Sequence, residues 1–499
     1  MLRRTDLGRW RRRALGAAVV GVPGLAMLCV LACGSGTGVP DEGLPDGGRE
    51  PDLGGESPDL GVDAGADQGV RDRCGLTCEA GCAFVEVVAG NDHTCARRDN
   101  GQVLCWGRNR EGQLGDGRRR HPDECPPAGD DRAVDCSACA VVVSDLDDAT
   151  QLSIGGGFTD FAQTSCALRS NGEVWCWGYE TIAEGGGSTE RRDEPRRDNV
   201  LEDVRQVSVS TAHLCMVAGD DRAAFCYGDN SRGQLGVAMP NDRLMPTPVD
   251  LDPSPDVVEP MTGVDELRAV RSGQYTCARR GTDLRCWGRN NAGQLGVTLT
   301  ADDGFQCIEG VNEIDCTNVP TVITEAMPLA LEDLGLGFQH VCGVDADGDV
   351  VCWGDNRAGQ AGDGPNTKLP PAPVAGLSGP VADVEAGSRH TCALLVDGSV
   401  QCWGWNRDGQ LGDGVESHGE RCEIDGERGD CSEAPVAVRD ASGPITDATH
   451  LTVGANHSCV LRGEEGDIWC WGLNRYRQLG DLTSSSSLAA VEAVGTQLP

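Results

Sequence analysis

The sequence predicts an all-β repeat array of the propeller type, and three observations lead to this prediction. One hairpin pattern recurs seven times, with its aromatic-glycine positions 50 to 71 residues apart. The 70 glycines among 499 residues are about twice the average share. Aromatic residues make up only 4% of the chain. A base period near 50 with insertions is typical of a propeller or another closed array and argues against a helical bundle.

Each unit is expected to form a strand, a tight turn and a second strand. In the clearest copy, residues 384–414, alternating apolar residues lead to His390-Thr391-Cys392, and Cys402-Trp403-Gly404 follows the turn. A single hairpin is marginal in water, so the units must pack against one another, and closing them into a ring leaves only short outer edges. The aromatic residues of the seven units are Trp106, Trp177, Tyr227, Trp287, Trp353, Trp403 and Trp471.

The repeated residues resemble the regulator-of-chromosome-condensation (RCC1) repeat, with its Gly-x-x-His, Cys/Trp-Gly-x-Asn and Gly-Gln-Leu-Gly elements. The last element is intact at 112–115, 233–236, 293–296 and 409–412, altered at 359–362 and 477–480, and missing from the second unit. The resemblance covers about residues 84–499 and implies a seven-bladed β-propeller of four-stranded blades. We expect residues 488–494 to pair with the first blade, so that the two chain ends close the ring together.

The 26 cysteines predict a disulfide-rich protein from an oxidising compartment. The two cysteines of each unit are expected to face each other across the hairpin, where their Cα atoms can lie at the distance that a disulfide needs. Zinc is the competing interpretation, but one hairpin supplies only two thiols and lacks the close Cys pairs typical of zinc sites, so we expect no metal. The predicted hairpin bonds are Cys95–Cys105, Cys166–Cys176, Cys215–Cys226, Cys277–Cys286, Cys342–Cys352, Cys392–Cys402 and Cys459–Cys470.

Three further pairs are predicted in insertions that follow the Gly-Gln-Leu-Gly element: Cys125–Cys136, Cys307–Cys316 and Cys422–Cys431. Each pair bounds an acidic stretch. The sequence does not fix the pairing of Cys74, Cys78, Cys82 and Cys139, although we expect one bond between Cys139 and the other three.

No catalytic residue or cofactor site is predicted. The histidines that precede the hairpin cysteines (His93, His213, His340, His390 and His457, replaced by Thr164 and Tyr275 in two units) are interpreted as packing or backbone-bonding residues. The repeated tryptophans are expected to pack between blades. Asp345-Ala-Asp347-Gly-Asp349 could begin a calcium loop, but its position favours a turn.

The first 32 residues have the pattern of a bacterial lipoprotein signal peptide: six arginines, an uncharged run and Val30-Leu31-Ala32-Cys33. We therefore expect Cys33 to be acylated and the protein to reach the cell envelope, at the outer membrane; an uncleaved anchor or a plain cleaved signal is the alternative. Residues 33–73 are expected to form a disordered Gly/Asp/Pro-rich tether, since 34–73 carry ten acids and three arginines. Residues 74–499 are expected to form the propeller.

The formal net charge of −36 excludes a uniform basic footprint for nucleic acid. We expect a monomeric, lipid-anchored protein-binding scaffold, whose acidic insertions lie on one face and meet a partner with a basic contact patch. Because RCC1-like propellers include a β-lactamase-inhibiting family, an enzyme inhibitor is one alternative. A glycan-binding or enzymatic propeller, with an unidentified hydrolase or lyase activity, is the other.

Overall fold

The computed structural model describes residues 83–493 except 126–133, 157–162, 181–189, 199–200, 238–240, 252–257, 300–306, 310–311, 324–330, 363 and 365. Within these ranges every regular element is a β-strand, as predicted. Seven antiparallel sheets follow one another along the chain, and we number these blades 1 to 7. They form the seven-bladed β-propeller that the repeat predicts.

The strands of blades 1 to 3 are β1 (Phe84–Ala89), β2 (His93–Arg98), β3 (Val103–Arg108), β4 (Asp123–Cys125), β5 (Val134–Val142), β6 (Ala149–Gly156), β7 (Gln163–Arg169), β8 (Val174–Glu180), β9 (Glu190–Arg197), β10 (Val204–Val209), β11 (His213–Ala218), β12 (Ala223–Gly228) and β13 (Arg243–Pro248). Those of blades 4 and 5 are β14 (Glu266–Ala269), β15 (Tyr275–Arg280), β16 (Asp283–Arg289), β17 (Cys307–Glu309), β18 (Asn312–Ile314), β19 (Cys316–Val322), β20 (Leu331–Leu336), β21 (His340–Asp345), β22 (Val350–Asp355) and β23 (Thr367–Pro373). The remaining strands are β24 (Val381–Ala386), β25 (His390–Leu395), β26 (Val400–Trp405), β27 (Glu420–Ile424), β28 (Glu427–Ala437), β29 (Arg439–Asp440), β30 (Gly443–Pro444), β31 (Ala448–Val453), β32 (His457–Arg462), β33 (Asp467–Gly472) and β34 (Ser487–Glu492).

Each blade is a contiguous piece of chain whose strands pair in sequence order, as in β10-β11-β12-β13. The first strand of each blade lines the central channel. In blades 1 and 6 an inserted strand, β4 or β27, pairs outside the fourth strand. In blade 4 the insertion forms a separate hairpin, β17–β18.

The prediction for the C-terminal strand is wrong. β34 pairs with β33 as the fourth strand of blade 7, not with blade 1. The reason is that the segment after each Gly-Gln-Leu-Gly element returns to the outer edge of its own blade, and the last copy does the same. Blades 7 and 1 therefore meet through side chains and turns, including the bond from the Ala455 N–H to the Gly90 carbonyl (3.0 Å).

Seven of the nine hydrophobic clusters among the described residues lie between neighbouring blades, one at each junction. In each of these seven the two hairpin cysteines of one blade pack with the repeated aromatic residue of the next blade. Cys392 and Cys402, for example, share a cluster with Trp471. The tryptophans therefore pack between blades, as predicted.

Candidate binding face

The Asn-x-x-Gly-Gln-Leu-Gly loop is held by its own side chains and presents one carbonyl to the next blade. In blade 6, the Asn406 Oδ1 accepts a hydrogen bond from the Leu411 N–H (3.0 Å), and the Gln410 Oε1 accepts one from the Asp408 N–H (2.8 Å). The Gln410 carbonyl then accepts a bond from the Trp471 Nε1 (2.9 Å). Gly412 has a φ of 68° and lies so close that a Cβ would be 2.7 Å from the Trp471 Cδ1, so glycine is required there.

Six of the seven blade junctions have this indole-to-carbonyl bond, at 2.8–3.0 Å. The pairs are Trp106–Gln478, Trp177–Gln113, Trp287–Gln234, Trp353–Gln294, Trp403–Gln360 and Trp471–Gln410. The exception lies between blade 2, whose sequence lacks the element, and blade 3, which has Tyr227 in place of tryptophan. The Tyr227 hydroxyl donates to Asp198 instead.

The repeated histidines are buried and join neighbouring blades. The Thr391 hydroxyl donates to the Gln360 carbonyl (2.7 Å), so the His340 Nε2–H must be the donor in its 2.9 Å bond to the Thr391 oxygen. Burial lowers the pKa of His340 to about 3, so its ring is neutral. A Cβ at Gly337 would overlap the ring, which explains the glycine of Gly-x-x-His.

The histidine and its partner occur together or not at all. Five histidines each face a serine or threonine of the next blade, in the pairs His93–Ser165, His213–Thr276, His340–Thr391, His390–Ser458 and His457–Thr94. Where Thr164 and Tyr275 replace the histidine, the next blade has the apolar Leu214 and Val341. These histidines therefore pack between blades, as predicted, and each also makes a specific hydrogen bond to the next blade.

The insertions emerge on one side of the ring, which we call the insertion face. Strands alternate in direction within each blade, so the connection between strands three and four leaves at the same end as the turn between strands one and two. Those first turns hydrogen-bond from blade to blade, as from the Ser388 N–H to the Ala455 carbonyl (3.1 Å). The insertions therefore lie on the same side of the ring as the turns between strands one and two of every blade.

The β27–β28 hairpin of blade 6 is the best-described insertion, and it folds onto the insertion face. Ile424 is fully buried against Ala358 and Trp405. At the tip, Asp425 pairs with Arg357 (2.9 Å) and Arg389 (3.1 Å). The hairpin is thus fixed by packing and ion pairs as well as by the Cys422–Cys431 bond.

Two histidines that our sequence analysis did not single out anchor the insertions of blades 1 and 6. The ring nitrogens of His418 lie 2.9 Å from Asp413 and 2.6 Å from Asp430. His121 lies in the same way between Asp116 (3.1 Å) and Asp135 (3.2 Å). Burial by itself lowers the pKa of His121, but the bonds to both carboxylates outweigh it and raise the pKa to about 9.

The common spacing could have revealed this pair of histidines. In both blades an aspartate directly follows Gly-Gln-Leu-Gly, the histidine comes five positions later, and the second aspartate precedes the last cysteine of the insertion. For His418, likewise, burial opposes protonation, but bonds to Asp430 and Asp413 raise the pKa.

The outward charges of the blade 6 insertion are mostly acidic, although Arg421 and Arg428 are exposed on it as well. Glu416, Glu420 and Glu423 are exposed. Glu423 is cross-strand paired with Arg428 (2.8 Å), and both side chains are more than half exposed. A solvated pair of this kind contributes little stability, so these glutamates are available to a partner.

The central channel holds a polar cavity of about 210 Å³ with a buried charge cluster. Arg268 reaches Glu266 (2.7 Å), Asp333 (2.9 Å) and Glu385 (2.7 Å), which lie on three successive blades. Burial, together with the neighbouring Asp333, raises the pKa of Asp383 well above its usual range. Because Arg268 pairs with one carboxylate from each of three blades, the cluster links blades 4 to 6.

Other polar side chains protect the channel edge of the inner strands. The Gln151 Oε1 accepts a bond from the Val207 N–H (3.0 Å), and its Nε2 donates to the Val207 carbonyl (3.2 Å). Gln206 bonds Leu267 of blade 4 in the same way. These bonds satisfy backbone groups that an open strand edge would leave unpaired.

The structure contains nine disulfides whose two cysteines are both described. They are the seven hairpin bonds Cys95–Cys105, Cys166–Cys176, Cys215–Cys226, Cys277–Cys286, Cys342–Cys352, Cys392–Cys402 and Cys459–Cys470, with Cys125–Cys136 and Cys422–Cys431 in insertions. The hairpin cysteines are directly opposite in register, with Cα atoms 4.1–4.2 Å apart, just below the usual range. Cys139 and Cys316 are also disulfide-bonded.

Several predicted features lie outside the described residues. They are the signal peptide (1–32), the lipidation site Cys33, the tether (33–73), the cysteines Cys74, Cys78 and Cys82, and the side chain of Cys307. In the part of the chain that the structure describes, no helix is long and apolar enough to cross a membrane.

The Asp345 segment is a turn in the structure. The Asp345 Oδ1 accepts hydrogen bonds from the N–H groups of Asp347 and Asp349, both at 3.0 Å. Across the described ranges, no three His, Cys, Asp or Glu side chains are grouped so that they could hold a metal ion.

Models of known protein families match most of the chain. The model described as RCC1-like domain matches residues 53–425, and the Regulator of chromosome condensation (RCC1) repeat matches 397–461 and 448–478. Among solved structures, human WBSCR16 has a TM-score of 0.58 and 18% identity, covering 79% of this chain and 94% of its own. Prp20p from Saccharomyces cerevisiae has a TM-score of 0.57 and 19% identity, covering 77% and 84%. At these identities the likeness shows the fold alone.

The curated relatives are named for different functions. The probable E3 ubiquitin-protein ligase HERC6 of Homo sapiens is 27% identical over 60% of this chain and 26% of its own length. The secretion-regulating guanine nucleotide exchange factor of Bos taurus is 25% identical over 60% of this chain and 61% of its own. The chain thus spans about a quarter to three fifths of the length of these two relatives.

Proposed function

Because this chain belongs to the RCC1-like domain family, we propose that it is a lipid-anchored, extracytoplasmic propeller that binds a protein partner through its insertion face. Two related structures support protein binding in this fold: one is of Kap60 bound to yeast RCC1, and the other is of Prp20p, studied together with its binding to Gsp1p and histones. The differing names of the curated relatives favour a shared scaffold over one shared reaction.

The observation that carries the proposal is the rigid β27–β28 hairpin. Its backbone is fixed by a disulfide, the buried Ile424 and the ion pairs of Asp425, so little conformational entropy is lost when a partner binds. The exposed Glu416, Glu420 and Glu423 then favour a partner with a basic contact patch.

The partner test compares two variants of the mature chain in affinity capture from the native envelope, followed by mass spectrometry. Glu416→Gln/Glu420→Gln/Glu423→Gln should lose the partner, and added salt should weaken capture by the unmodified chain. The matched control, Glu464→Gln/Glu465→Gln/Asp467→Asn, removes three exposed acids at the opposite side of blade 7. Equal capture by all three proteins would refute the binding face.

The anchor is tested separately. Radiolabelled palmitate should label the chain, and Cys33→Ala should abolish the labelling and release the propeller from the membrane fraction. Persistent labelling in Cys33→Ala would contradict acylation at that residue. The acyl anchor and the tether together would hold the propeller in the cell envelope, at the outer membrane.

A further inference from the structure

The insertion face also carries a concentration of arginines, which is unexpected on a chain with a net charge of −36. We call it the arginine surface and define it by six residues, of which four come from the loop after β3 in blade 1 and two from β9 in blade 2: Arg110, Arg118, Arg119, Arg120, Arg191 and Arg192. Arg118 and Arg119 have side chains 72% and 78% exposed.

The two segments form one surface because they pack together. The Gly117 N–H donates to the Asp193 carbonyl (2.9 Å), and the Arg191 Nη1 donates to the Arg110 carbonyl (2.5 Å). His121, held between two aspartates, fixes the end of the same loop. The arginines are therefore presented by anchored backbone.

Carboxylates lie beside five of the six arginines. Glu111 is 3.5 Å from Arg110, Asp198 is 3.5 Å from Arg192, and Asp193 meets both Arg119 and Arg191. Asp116 is engaged by His121 (3.1 Å) and is 3.7 Å from Arg118. Arg120 is exposed, and among the described residues it has no ion-pair partner. The exposed guanidinium groups of Arg118, Arg119 and Arg120 are therefore the positive charge that an external anion can reach.

A carboxylate already shows how the surface binds an anion. Asp193 receives the Arg119 Nε (2.9 Å) and the Arg191 Nε (2.5 Å), one from each blade. The guanidinium fork matches carboxylate geometry, and neighbouring arginines can receive successive acidic side chains of an extended chain.

We infer that the arginine surface is a second binding site, which takes a carboxylate-rich segment of a protein partner. The site is independent of the acidic β27–β28 hairpin, so it does not rest on the proposed function. The insertion face would then offer two contacts of opposite charge, and a partner that uses both could dock in only one orientation.

The test uses a fluorescein-labelled deca-glutamate peptide and the full mature chain, with anisotropy measured at low salt. The unmodified chain should bind the peptide, and Arg118→Gln/Arg119→Gln/Arg120→Gln should weaken binding by about tenfold or more, since charged hydrogen bonds are lost. The control Arg205→Gln/Arg222→Gln/Arg243→Gln makes the same change of net charge on blade 3. It should alter binding less than about twofold, since charges that do not contact the peptide are largely screened. Circular dichroism verifies that both variants are folded.

Four results would overturn the inference. The first two are no peptide binding by the unmodified chain and equal losses of binding in both variants. The third is tighter binding of polyphosphate, or of vesicles of anionic lipid, than of the peptide. The fourth is self-association that Arg118→Gln/Arg119→Gln/Arg120→Gln abolishes, because a second copy of the chain would then be the occupant. Retention of peptide binding by Glu416→Gln/Glu420→Gln/Glu423→Gln is also expected, and separates this site from the proposed function.

Discussion

The Trp106 Nε1 donates a 2.9 Å hydrogen bond to the backbone carbonyl of Gln478, 372 positions later in the chain. This bond joins blade 1 to blade 7. Thr94 donates to the same carbonyl at 2.8 Å and also contacts His457 of blade 7. Because no strand of the described residues is exchanged between the first and last blades, they meet through these side chains, the Ala455–Gly90 backbone bond and the hydrophobic cluster around Trp106.

Trp106→Phe should therefore destabilise the ring while leaving most of the buried aromatic volume in place. We expect a loss of about 1–3 kcal/mol in the free energy of unfolding, towards the low end because Thr94 still satisfies the Gln478 carbonyl. Urea denaturation of the oxidised protein measures it. Trp403→Phe removes the equivalent bond between blades 5 and 6, where Thr391 likewise donates to the Gln360 carbonyl, so a similar loss there would show that the closing junction is an ordinary one. An unchanged midpoint in both variants would contradict the role of the bond.

The histidine and hydroxyl of a junction should be energetically coupled. Thr391→Val leaves the buried His340 Nε2–H without an acceptor and should cost about 1–3 kcal/mol. His340→Leu should cost less stability in the Thr391→Val background than in the unmodified protein. The difference, measured in a double-mutant cycle, should be a coupling energy of at least about 0.5 kcal/mol. Strict additivity would mean that the pairing is incidental.

Stability should decline in mild acid because of the buried histidines. Burial lowers the folded-state pKa of His93 to about 4 and of His213, His340, His390 and His457 to about 3, below the ordinary value of 6.5. Between these values only the unfolded chain binds the protons. Stability is therefore fully present above pH 6.5 and falls as the pH drops towards 3.

Urea midpoints between pH 7 and pH 4 check this decline. Carboxylates also titrate in this range, so the comparison is with His340→Gln, which keeps a donor but cannot be protonated. The drop in midpoint should be smaller in that variant. Parallel curves for both proteins would argue against the histidine contribution.

The insertions should respond in the opposite sense, at alkaline pH. The folded-state pKa of His121 is raised to about 9, and that of His418 is also raised, above the unfolded value of 6.5. Their contribution is fully present below pH 6.5 and is lost as the pH rises through the folded value. Proteolytic nicking of the two insertions should increase above pH 9. Cleavage of the insertions at a rate independent of pH would refute this stabilising role of the two histidines. So would equal cleavage of the unmodified protein and His121→Gln at pH 7.

The disulfides should differ in what they stabilise. The mature protein in denaturant should show no reactive thiol before reduction. Cys392→Ser/Cys402→Ser should lower the free energy of unfolding by about 3 kcal/mol, since a short loop in the unfolded chain is released. Cys422→Ser/Cys431→Ser should instead increase hydrogen exchange mainly in its own hairpin, whose strand β27 lies outside the fourth strand. Free thiols in the unreduced protein would contradict the oxidised state.

The sequence by itself determined the number of blades, the strand-turn-strand unit and the packing role of Trp106 and its equivalents. These follow from local patterns that recur, since the spacing of Cys95 and Cys105 across a short turn leaves few possible conformations. Only the tertiary structure decided that β34 completes blade 7, that His340 meets Thr391, and that Arg268 meets carboxylates from three blades. His340 and Thr391 are 51 positions apart and Arg268 and Glu385 are 117 apart, and such partners are set by how the blades twist and pack around the channel. A repeat pattern does not encode that geometry.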